Sequence, residues 1–159
     1  MQRFLSLLLR TEAAMAVTAY SVTVGLLVAD VISREVFSQA IWGAQKLAVF
    51  GAIIAGILGL TIAVAENAHL QASFASKMLP FRWAGRLGDL VSACLFAIMG
   101  YYAMIFVGET IHFDDRAEVI NIPLWWVQIV FPYAFFAAAL RHLAFAFYPA
   151  LKPDSSTEH

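Results

Sequence analysis

The sequence holds a single cysteine, Cys94, which excludes an intramolecular disulfide and a thiolate metal cluster. Charge is almost as scarce. Only 13% of the 159 residues are Asp, Glu, Lys or Arg, about half the share of an ordinary soluble domain. The 10 basic and 11 acidic residues nearly cancel, and no basic stripe with interleaved aromatics marks a nucleic-acid surface. Gly-rich phosphate loops, metalloprotease spacings and nucleophile–base combinations are also missing, so no catalysis is expected.

What remains is apolar: 62% of the residues are hydrophobic and the mean hydropathy is +0.77. Four stretches carry no charge at all: Ala13 to Ala29, Leu47 to Ala65, Leu90 to Gly108 and Val119 to Leu140, of 17, 19, 19 and 22 residues. A helix rising about 1.5 Å per residue needs roughly 20 residues to cross a hydrocarbon core about 30 Å thick. The pattern therefore predicts an all-α membrane protein. A single membrane domain, residues 1–148, holds four transmembrane helices near 13–33, 45–65, 88–108 and 119–141, and a polar tail covers 149–159.

Short interfacial helices are expected beside the spans. Phe4, Leu5, Leu8 and Leu9 recur at helical spacing before the first span, and Leu70, Phe74 and Met78 do so before Pro80. Arg10 and Glu12 interrupt the first apolar stretch too early for a secretory signal peptide. Seven Lys or Arg residues fall on the side of the termini and the central connection, against Arg34, Lys46 and Arg116 on the other. The bias of basic residues toward the cytoplasm places both termini inside. Trp42, Trp125, Trp126 and Tyr148 mark headgroup levels, and Pro132 predicts a kink in the fourth span.

Small residues recur along the second span at Gly51, Ala55, Gly59 and Ala63. Such a face lets two helix backbones approach closely, either within this chain or against another membrane protein. Asp30 and Arg34 stand four apart and are placed to pair on one helix face. The connection at 109–118 is acidic, with Asp114, Asp115 and Glu118 available to dock a soluble partner or simply to face water. Every Asp and Glu falls at or beyond the end of an uncharged run, so no buried ion-coupling carboxylate is expected within a span.

Several short motifs occur in a telling order. Arg34-x-x-Phe37 closes the first span, and Trp42 and Gln45-Lys46 open the second. Glu66-Asn67-Ala68-His69-Leu70 follows, then Leu79-Pro80 and Arg82, and Ile122-Pro123-Leu124-Trp125-Trp126 opens a fourth span that carries Pro132. Over roughly residues 13–145 this order resembles the small membrane subunit of tripartite ATP-independent periplasmic (TRAP) transporters, the DctQ-like proteins.

The resemblance implies a non-catalytic subunit of the bacterial inner membrane, with no cofactor of its own. It would brace a large DctM-like membrane subunit that carries sodium and substrate, and help dock a DctP-like periplasmic binding protein for uptake of a small organic acid. On this reading Arg34, Trp42, Gln45, Lys46, Gly51, Ala55 and Gly59 meet the large subunit, and Asp114, Asp115 and Glu118 meet the binding protein. His69, Pro80, Pro123, Trp125, Trp126 and Pro132 are interfacial or structural. Family members commonly carry acids after the tryptophan, where this chain has Gln45 and Lys46. Two rival readings are a haem- or quinone-associated respiratory anchor using His69 and His142, and a small homo-oligomeric exporter.

Overall fold

A computed structural model of the chain describes residues 2–66 and 84–148. Its regular structure is helical: α1 (Gln2–Phe37), α2 (Ala44–Glu66), α3 (Ala84–His112), a short α4 (Trp125–Gln128) and α5 (Val130–Phe147). Among the described residues there is no strand, only an isolated bridge between Arg116 and Pro123. Four stretches are long and apolar enough to cross a membrane: Leu5–Phe37, Ala44–Ala65, Arg86–His112 and Trp125–Phe147. His69, Pro80 and the interfacial helix expected before Pro80 lie outside the described residues, as does the polar tail.

The expected break between an interfacial helix and the first span is absent. α1 runs uninterrupted for 36 residues, about 54 Å at 1.5 Å per residue, and so exceeds the hydrocarbon thickness. No proline occurs before Pro80 and no glycine before Gly25, so nothing in the backbone interrupts the ladder. Thr11 keeps its hydroxyl inside the helix by donating to the Leu7 and Leu8 carbonyls.

The last span also starts later than the uncharged run suggests. Residues 113–124 form a laced loop in which Ala117 N–H donates to Ile122 O, Asn121 N–H to Ala117 O and Leu124 N–H to Asp115 O. Asp114, Val119 and Asn121 adopt positive φ there, which a helix does not tolerate. Helix begins at Trp125 and runs on through Ile129, which keeps right-handed helical dihedrals, into Val130–Phe147. Pro132 leaves one rung of the ladder unmade near this point, since it has no N–H to donate to the Gln128 carbonyl.

The helices form an open row rather than a closed bundle. α1 packs along α2 and α3 along α5, while α2 against α5 makes a lesser seam joining the two hairpins. Each outer helix presents one stripe with alternating spacings of four and three. On α1 it is Glu12, Ala16, Ala19, Thr23, Leu26, Asp30 and Ser33; on α3 it is Asp89, Ala93, Phe96, Gly100, Ala103, Val107 and Thr110. That spacing averages 3.5 residues, the period that keeps a seam facing one neighbouring helix. The remaining faces of α1 and α3 are exposed and apolar, including Val17, Val24, Val28, Leu95, Ile98 and Tyr102, as suits contact with lipid or another membrane protein.

Gly51 lies in the α1–α2 seam. A Cβ there would collide with the Thr23 hydroxyl and stand 3.3 Å from the Ala19 carbonyl oxygen. Gly51→Ala is therefore expected to lower stability by about 1–3 kcal/mol through overpacking. Adding Thr23→Ala should recover most of that loss, as measured by thermal unfolding in mild detergent; an additive further loss would show that Thr23 is not the obstacle.

Candidate functional site

At one end of the row the two short connections meet. Gly43 has φ +76°, and a Cβ built on it would stand 2.5 Å from Ile120 Cγ2, so the 38–43 turn lies directly against the 113–124 loop. The turn is anchored by Asp30, whose side chain is nearly inaccessible. One carboxylate oxygen accepts from Ile41 N–H at 2.8 Å, and the other pairs with Arg34 at 2.7 Å. Ser33 Oγ donates to Gln39 O at 2.8 Å, closing the turn from the other side. Arg34 thus works first inside this chain, holding the acid that holds the turn.

Around this anchored corner the apolar residues face outward. Trp42 is 73% exposed and Phe37 70%. Gln45 is exposed and Lys46 half-buried, one turn into α2. Asp114, Asp115 and Glu118 are exposed on the neighbouring loop, with Asp114 paired to Arg116 at 3.0 Å. The corner and the acidic loop are thereby brought together on one end of the molecule. Pro123 and Trp125 are half-buried and Trp126 is exposed there. The small-residue stripe divides: Gly51 is used against α1, Ala55 borders a shallow α1–α2 groove with Tyr20 and Gly56, and a Cβ on Gly59 would meet nothing within 4 Å.

The opposite end holds what sequence reasoning missed. Glu12 and Arg141 form an ion pair at 2.5 Å with side chains 0% and 2% exposed. Tyr133 O–H donates to the other Glu12 oxygen at 3.0 Å, and Arg141 donates to the Thr61 carbonyl at 3.0 Å. Asp89 is likewise buried, with His142 Nδ1 at 3.6 Å. Glu12 and Asp89 do stand at the ends of uncharged runs, but the expectation that no carboxylate is buried is overturned by both. Each is the first residue of a seam stripe, so helical geometry turns it inward although an apolar run begins just after it. The readable signal was the alternating spacing of four and three, which the edges of uncharged runs conceal.

His142 stacks on Phe96 with ring centroids 5.5 Å apart and meets Phe145 edge-on. Between the buried pair and the loop end, α1 and α5 diverge around a groove of about 800 Å³. Its walls include Ala14, Thr18, Leu58, Ile129 and Tyr133. Among the described residues no group of three or more His, Cys, Asp or Glu side chains could hold a metal ion.

Among the described residues, four apolar helices, buried charges that are paired at the helix seams and at the anchored turn, and an exposed apolar perimeter mark a multi-pass membrane protein. A family comparison is specific: residues 23–151 match the family described as tripartite ATP-independent periplasmic transporters, DctQ component. The chain belongs to that family, and is thus a transporter component rather than an enzyme. Neither a curated protein nor a solved structure shows a significant match. The matched residues include Arg141 but not its partner Glu12.

Removing one partner of a buried ion pair strands the other in a low-dielectric site, which costs about 3–5 kcal/mol. Glu12→Gln and Arg141→Met are each expected to lower thermal stability by about that amount, whereas Glu12→Leu with Arg141→Met should recover most of it. The reversed pair, Glu12→Arg with Arg141→Glu, should not recover, because it sets a carboxylate against the Thr61 carbonyl. Full recovery on reversal would mean that the surrounding dipoles are immaterial.

Proposed function

We propose that this chain braces the large, DctM-like membrane subunit of a TRAP transporter in the bacterial inner membrane and helps present a docking surface to a DctP-like periplasmic binding protein. The transported solute is a small organic acid, and uptake is coupled to sodium; both ligands are carried by the large subunit. Family membership carries this reading. The physical features agree with a supporting role: an open row of helices with broad apolar faces leaves much surface for a membrane partner.

In this reading both termini are cytoplasmic, following the basic residues, and the corner of Asp30, Arg34 and Trp42 with the acidic loop is periplasmic. Trp42, Gln45, Lys46, Ala55 and Gly59 contact the large subunit. Gly51 and Arg34 support that contact from within the hairpin. Asp114, Asp115 and Glu118 attract the binding protein through a field that salt weakens.

The test is reconstitution. Proteoliposomes holding both membrane subunits should take up the solute only with the binding protein and a sodium gradient, and the small chain alone should transport nothing. Gly59→Leu is the cleanest probe of the partner face, since none of the described residues lies within 4 Å of the added Cβ. Loss of co-purification with the large subunit, at unchanged thermal stability, is expected; retained co-purification removes Gly59 from the interface. Reversing Asp114, Asp115 and Glu118 to lysine should weaken binding-protein affinity about 10-fold at low salt and less at high salt, and an unchanged affinity refutes the docking role.

A further inference from the structure

Among the described residues the two helix hairpins, α1–α2 and α3–α5, meet along the modest α2–α5 seam and, at one end, where the 38–43 turn lies against the 113–124 loop. An arrangement of this kind can open or close like a book unless something fixes the angle. α1 has no extensive backbone seam with α5, and over much of their length the two helices are separated by the groove that Ala14, Thr18, Ile129 and Tyr133 line. The contact that bridges them is polar. Glu12 reaches across to α5 and is gripped there twice, by Arg141 and by Tyr133, eight residues or about two helical turns apart.

Arg141 also donates to the Thr61 carbonyl on α2, so one guanidinium ties three helices together. The next residue, His142, points about 100° around α5 toward Asp89 on α3, as helical geometry requires of successive side chains. Successive residues of α5 therefore engage acids from the two different hairpins, which fixes the rotation of α5 as well as its distance from α1. Apolar contacts are non-directional and tolerate sliding. A buried ion pair with both hydrogen-bonding partners in place has one satisfying geometry.

We infer that Glu12 and Arg141 are positioning residues that set the angle between the two helix hairpins, and so the shape of the face this chain offers to a membrane partner. The second clause rests on the proposed bracing role; the first concerns this chain alone and is tested alone.

The experiment uses the full chain in lipid nanodiscs with spin labels on exposed sites. The native Cys94 on α3 paired with Tyr20→Cys on α1 reports the distance between hairpins. Cys94 paired with Phe147→Cys on α5 reports the distance within one hairpin. The parent chain should give narrow distributions for both pairs. In Glu12→Leu/Arg141→Met, which keeps the site apolar and filled, the within-hairpin distribution should stay narrow while the between-hairpin distribution broadens and shifts. Arg141→Lys, which keeps the charge but loses the forked donor geometry, should broaden it to an intermediate degree. A between-hairpin distribution that stays narrow in the double variant overturns the inference, and so does equal broadening of both pairs, which marks general loosening. Failure of reconstituted uptake with a normal spin-label result counts against the bracing role and leaves the positioning role intact.

Discussion

A carboxylate and a guanidinium taken out of water together depend on one another absolutely, and the Glu12–Arg141 pair imposes that dependence on the whole chain. Neither side chain can stay buried alone without a large desolvation cost. α1 must therefore extend far enough past its uncharged run to deliver Glu12, and α5 must turn so that Arg141 meets both that acid and the Thr61 carbonyl. The continuation of the first helix through Glu12 and the rotation of the last one meet this requirement. The row of helices is open elsewhere because its other contacts are seams between neighbours.

The far end is built by a different device on the same principle. Asp30 is buried, yet its two oxygens are occupied by a backbone N–H and by Arg34, so the turn between α1 and α2 is fixed by the chain itself. Ser38 and Gly43 bracket that turn with positive φ. The outward position of Trp42 is a result of this anchoring. A surface held in one shape before a partner arrives loses less conformational freedom on binding. Under the proposed bracing role that rigidity has a use, since a supporting subunit contributes by holding a shape.

The helices were legible in the sequence because an absence of charge over a bilayer's width has few structural solutions. The Asp30–Arg34 pair was legible because it is local. Glu12–Arg141 was not, since the partners are 129 residues apart and each looked like the edge of an apolar run. The order of helices in the row was equally hidden: all four spans are apolar around most of their circumference, so hydropathy does not say which faces meet. Gly51 shows the same limit. A small-residue stripe permits close approach without naming the neighbour, and that neighbour at Gly51 is Thr23 of the same chain.

The separation of that pair along the chain also bears on how the protein is made. Glu12 leaves the ribosome 129 residues ahead of Arg141, roughly 6–26 s at about 5–20 residues per second. During that interval the first helix has its acid but not the guanidinium it pairs with. The acid lies near the end of the uncharged stretch, where a helix can keep a carboxylate in the hydrated headgroup zone until its partner is synthesised. The buried pair can thus be completed only after the last helix has been made, so the two ends of the chain are joined late in its synthesis.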